Sequence, residues 1–128
     1  MAEKSAAEKL GLKPGQGLML LHPVDNWQAV IGPLPPTARV IMAGPADVAL
    51  LFAHTHADLH ANLPALAACA PARLWLAYAK LTSPLAGALN RAVIHDLTPA
   101  YGLDTIAQIA LDADWSAMRF KLLPAPPQ

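Results

Sequence analysis

Asp47-Val48-Ala49-Leu50-Leu51-Phe52-Ala53 runs straight into His54-Thr55-His56-Ala57-Asp58-Leu59-His60, and this stretch decides the fold. A strand with one wet face alternates apolar and polar residues. A run that is apolar at every position predicts burial on both faces, as in the central strand of a parallel sheet covered by helices. Thr55 then opens a helix: Leu59, Leu63, Leu66, Ala67 and Ala70 recur at helical spacing, with a kink expected at Pro64 and an end before Pro71. Thr55 and Asp58 make a Thr-x-x-Asp capping box, in which both side chains satisfy N–H groups that a helix start leaves free.

Upstream, Met1 to Leu10 reads as a short amphipathic helix stopped by Gly11, and Pro14-Gly15 marks a turn. Leu18-Met19-Leu20-Leu21-His22 reads as a buried strand. Asp25 is expected to cap a short helix through Ile31, which Gly32-Pro33-Leu34-Pro35-Pro36 cannot continue. Ala38-Arg39-Val40-Ile41-Met42 has strand character, but only Ala43 to Ala46 separate it from the run at 47. A parallel crossover takes about a dozen residues, so 38–42 is expected to be an antiparallel edge or no strand.

Downstream, Leu74-Trp75-Leu76-Ala77-Tyr78 is a second strong strand. A helix follows, starting at Ser83-Pro84 or near Ala88, with Leu89, Ala92, Val93, Leu97, Ala100 and Tyr101 as its face and Gly102 as its stop. Thr105 to Leu111 and Trp115 to Leu122 alternate around Asp112-Ala113-Asp114, as an antiparallel hairpin requires. The expected organisation is one domain, 1–123, and a loose Pro-rich tail, 124–128.

This order predicts an α/β fold: a three-layer Rossmann-like sandwich whose mostly parallel central sheet ends in an antiparallel hairpin. A parallel sheet closed by a reversed strand is similar to the class I methyltransferase fold in trimmed form. Gly11-Leu12-Lys13-Pro14-Gly15, Ala77-Tyr78-Ala79-Lys80, Leu89-Asn90-Arg91 and above all Asp114-Trp115-Ser116-Ala117-Met118-Arg119-Phe120 resemble a family of small uncharacterised bacterial proteins, a domain of unknown function. The resemblance covers nearly the whole chain and implies a fold without an activity.

Composition narrows the partners. Nine Lys plus Arg balance nine Asp plus Glu, so no net field draws the chain to nucleic acid or anionic lipid. Cys69 is the single cysteine, which excludes an intrachain disulfide and fits a reducing, cytoplasmic setting. With no activating base beside it, Cys69 reads as packed rather than nucleophilic. The first ten residues have no apolar run behind their charges, and Leu63 to Ala79 is broken by Pro64, Pro71 and Arg73. Neither a signal peptide nor the ~20 apolar residues of a membrane span is expected.

The chemistry-bearing motifs are few. Dinucleotide and methyltransferase sites put a glycine-rich turn after the first strand, whereas this chain has His22-Pro23-Val24-Asp25-Asn26, and Gly15 and Gly17 lie before the strand. No phosphate-binding GxxxxGK loop or GxSxG elbow occurs, and no cofactor is assigned. His54-Thr55-His56-Ala57-Asp58-Leu59-His60 is similar to the HxHxDH metal motif of the metallo-β-lactamase superfamily, but Leu59 stands where that motif has histidine. At ~100° per residue His56 and His60 fall about 40° apart on a helix with Asp58 roughly opposite, so His54, His56 and His60 are the candidate metal ligands.

A second candidate set is Lys80, Asn90, Arg91, Trp115 and Arg119, of whose cations two or three are expected to converge on an anionic ligand. In the competing reading Trp115 covers the sheet edge, Arg119 pairs with Asp112 or Asp114, and Asn90 and Arg91 lie on a solvated face. The sequence favours a non-catalytic module that binds a small molecule or a protein. The alternatives are a divergent methyltransferase-like enzyme or a small histidine metal protein. A hydrophobic content of 55% also allows a homo-oligomer.

Overall fold

The computed structural model describes residues 5–41, 45–69, 72–80, 82–84 and 86–123. They form a mixed α/β fold around one six-stranded sheet: β1 (Gly17–Leu21), β2 (Arg39–Ile41), β3 (Val48–Phe52), β4 (Arg73–Ala79), β5 (Leu103–Ala110) and β6 (Trp115–Leu122), in the order β2-β1-β3-β4-β6-β5. The helices are α1 (Ala6–Lys9), α2 (Trp27–Ile31), α3 (His56–Ala67) and α4 (Arg91–Leu97), the last continued by a 3₁₀ turn, Thr98–Tyr101. β1 to β4 run parallel, and β6 is antiparallel to both β4 and β5.

β3 is buried at every position, as its unbroken apolar run predicts. Val48, Leu50 and Phe52 face a core shared with α1 and α2, while Ala49 and Leu51 face the core under α3 and α4. The first core is fastened by Trp75, whose indole N–H donates to the Leu10 carbonyl at 2.8 Å. The hairpin forms as expected, but β6 is an interior strand and β5 the edge. Asp112 shapes their turn by accepting from the Asp114 and Trp115 N–H groups, both at 2.8 Å.

Three expectations are corrected. First, β2 and β3 both run parallel to β1, one on each side of it. A long crossover is needed where the chain must climb back along a full strand. β2 spans only Arg39–Ile41, and Ile41 stands level with Met19 while Val48 stands level with Leu18. The connection therefore has about one strand step, ~3.3 Å, to regain. Its arrival is pinned where the Gly17 N–H donates to the Asp47 carboxylate at 2.9 Å and the Asp47 N–H to the Gly17 carbonyl at 3.0 Å. Met42, the last residue of the expected strand, lies outside the described residues.

Second, α2 starts at Trp27 and the residue at its N-cap is Asn26, which makes no side-chain cap. Asp25 stands outside the helix. Third, α4 begins at Arg91 under an Asn90 cap, whose side chain accepts from the Val93 N–H at 3.0 Å. Ser83-Pro84 is not a helix start, and Ala92 and Ala100 are exposed, so the buried line is Ile94 and Thr98 flanked by Val93, Leu97 and Tyr101. Gly102 does close the segment, at φ 77°. α3 continues through Pro64 to Ala67; Ala70 and Pro71 lie outside the described residues, as do Met1 to Lys4 and the tail 124–128. Among the described residues no helix is long and apolar enough to cross a membrane.

Candidate functional site

Two places bring chemistry-bearing side chains together. One is the carboxyl edge of the parallel strands, between β1 and β3, where the chain winds outward in opposite directions and open α/β sheets habitually leave a crevice. His22 follows β1 in the left-handed region, at φ 50°, an uncommon conformation for a residue with a Cβ. Its Nδ1 lies 3.0 Å from the Phe52 carbonyl, which can only accept, so Nδ1 carries the proton and Nε2 turns outward, 4.0 Å from an Asp58 oxygen.

Asp58 completes the capping box of α3. Its other oxygen accepts from the His54 and Thr55 N–H groups at 2.9 and 3.1 Å, while Thr55 Oγ1 accepts from the Asp58 N–H at 3.0 Å. These bonds hold the Asp58 carboxyl below its ordinary range, the His54 N–H contributing most; burial opposes it, and Thr55 and the neighbouring His22 reinforce it.

The candidate metal ligands are divided by this arrangement. His54 packs edge-on against Trp115 with ring centroids 5.0 Å apart, His56 is exposed on the first turn, and His60 is hydrogen-bonded through Nδ1 to the Tyr101 hydroxyl. Among the described residues no three His, Cys, Asp or Glu side chains gather in a way that could hold a metal ion. Cys69 is partly buried, with its thiol donating to the Ala65 carbonyl at 3.3 Å; burial pushes its pKa up, away from the reactive thiolate.

The second set, Lys80, Asn90, Arg91, Trp115 and Arg119, is split by the sheet. Trp115 is 1% exposed, packed against Phe52 and His54 in the α1–α2 core rather than over an edge. It is buried because β6 enters between β4 and β5. Arg119 stands opposite Trp75 and two residues from Ala117, hence on that same face, with its Nε buried and without a hydrogen-bond partner among the described residues. It does not pair with Asp112 or Asp114: Asp112 holds the hairpin turn, and Asp114 accepts from the Ser83 hydroxyl at 2.8 Å. Lys80 is tied to this turn through its backbone, N–H to the Asp114 carbonyl at 2.8 Å.

Asn90 and Arg91 lie on the opposite face, in the second place. There a cleft of about 670 Å³ opens between α4 and β5. Asn90, Arg91, Ala92 and His95 form one wall, Thr105, Ile106, Ala107 and Gln108 the other, and Met118 of β6 the floor. His95 Nδ1 and Thr105 Oγ1 are hydrogen-bonded at 2.7 Å across it, and the Gln108 amide donates to the Tyr78 hydroxyl at 2.8 Å. Burial raises the Tyr78 pKa, and the nearby Arg91 charge opposes the rise. Arg91 itself is exposed and joins neither of the ion pairs found among the described residues.

Sequence reasoning found Asn90 and Arg91 but missed His95, Thr105, Gln108 and Met118. The cleft comes from a bulge between Thr105 and Ala107 and from the seating of α4, neither of which leaves a periodic trace. His22 was missed as the neighbour of Asp58, although both stand where strands of an α/β sheet end. Comparison with protein-family models, curated proteins and solved structures found no match.

Proposed function

We propose that the protein is a binding module that takes a small molecule with an anionic group in the cleft between α4 and β5. The observation that carries this reading is the cleft itself. Its volume of about 670 Å³ is that of a small-molecule pocket. Arg91 offers an uncommitted planar cation suited to a carboxylate or phosphate. Ala92, Ile106 and Met118 supply apolar surface, and Thr105, His95 and Gln108 add donors and acceptors.

The strand order supports a scaffold of trimmed methyltransferase-like form, with β6 reversed between β4 and β5. His22-Pro23-Val24-Asp25-Asn26 after β1, in place of a glycine-rich turn, supports use of that scaffold for binding without the cofactor.

Calorimetric titration of a panel of small carboxylates and phosphate esters tests the reading. Saturable binding to the wild type, weakened at least tenfold by Arg91→Ala and unchanged by Lys121→Ala, is the expected outcome. No saturable heat with any member, or equal affinity in Arg91→Ala, would overturn it.

A further inference from the structure

The polar groups of the cleft between α4 and β5 stand at two ends. Arg91 and His95 are four residues apart on α4, which puts them on one face of the helix with a rise of ~6 Å between them. His95 marks one end, tied to Thr105 of β5 from Nδ1 to Oγ1 at 2.7 Å. Arg91 marks the other. Its charge is felt at the Tyr78 hydroxyl, which accepts from the amide of Gln108, three residues beyond Thr105 on β5. The rest of the lining includes apolar Ala92, Ile106 and Met118, of which Ile106 is left out of the ladder by the bulge and is 43% exposed.

Both ends offer protons. The Thr105 hydroxyl can donate to Nδ1 of the neutral His95 ring or accept from Nδ1 of the charged one, and in both arrangements Nε2 carries a proton to give. Nε2 has no hydrogen-bond partner among the described residues. Nor does any described Asp or Glu line the cleft, so a positive group on a ligand would meet no counter-charge there.

We propose that the cleft takes an α,ω-dicarboxylate, with one carboxylate on the Arg91 guanidinium, the second on His95 Nε2, and an aliphatic chain of about six carbons spanning the turn of α4 between them. This rests on the anionic reading of the cleft and adds a second charged end to the ligand. Arg91 then decides whether an anion binds, and His95 decides which.

Calorimetric titration of the full chain with three ligands of one carbon skeleton tests the second carboxylate: adipate, hexanoate and ω-aminohexanoate, whose far ends are a carboxylate, a methyl and an ammonium group. Adipate is expected to bind at least tenfold more tightly than hexanoate, and ω-aminohexanoate no more tightly than hexanoate. In His95→Ala the affinity for adipate falls to that for hexanoate, while hexanoate binds as it does to the wild type. His95 is exposed, and an unchanged circular dichroism spectrum checks that the variant folds. Hexanoate binding as tightly as adipate, ω-aminohexanoate binding most tightly of the three, or an equal loss of both acids in His95→Ala would each overturn the dicarboxylate while leaving the anion site, provided that Arg91→Ala still weakens binding. Adipate giving no saturable heat overturns it as well, and the anion reading falls with it only if every other carboxylate and phosphate ester is also silent.

Discussion

Asp58 links a helix start to a strand end, since one oxygen closes the capping box of α3 and the other faces His22. Its pKa is depressed from 3.8 in the fold, so it contributes stability above about pH 4 that is lost as pH falls through the lower folded value. Removing the cap with Thr55→Ala costs about 1 kcal/mol in urea denaturation. Asp58→Asn flattens the fall of stability on the acid side; an acid limb as steep as that of the wild type would contradict this assignment. Trp115 is the converse case, a buried indole whose N–H has no partner among the described residues. Trp115→Ala opens a cavity worth about 3–5 kcal/mol. Trp115→Phe keeps much of the ring packing and removes the unpaired donor, so it costs well under half as much in the same denaturation assay. The capping box was legible because it is local, Thr-x-x-Asp. The burial of Trp115 was not, because it follows from the pairing of β6 with β4, strands far apart in the chain.

At the scale of elements, β3, β4 and the β5–β6 hairpin announce themselves, because continuous or alternating apolar runs fix both their type and their faces. β2 did not. The length of a connection limits topology only when strand lengths are known, and Arg39–Ile41 is too short for the limit to bind. The start of α4 stayed open between Ser83-Pro84 and a point near Ala88 because only packing chooses between them, and the structure puts it at Arg91, close to the later one. The Asn90 cap fixes the first turn of α4, and with it Arg91. Asn90→Ala therefore costs about 1 kcal/mol of stability and weakens ligand binding along with it. Denaturation and titration of the same variant check this; a loss of stability with full ligand affinity would separate the cap from the cleft.

At the scale of the molecule, the sheet carries a core on each face and divides the chemistry between them. Trp115 and Arg119 belong to the α1–α2 side, Asn90 and Arg91 to the α4 side. Arg91 and Arg119 stand on opposite faces of the sheet, so these two do not converge on one anion. What assembles is a cleft built from segments around 90–95, 105–108 and 118, with Arg91 as its cation. No single window of sequence contains it. The carboxyl edge near His22, His54 and Asp58 is where open α/β sheets ordinarily place ligands, whereas the proposed function puts the ligand in the cleft between α4 and β5. Amide chemical-shift mapping during titration with a bound carboxylate or phosphate ester tests that most directly. Shifts concentrated at Arg91, His95 and Thr105 to Gln108 are predicted, and shifts concentrated at His22, His54 and Asp58 would contradict it.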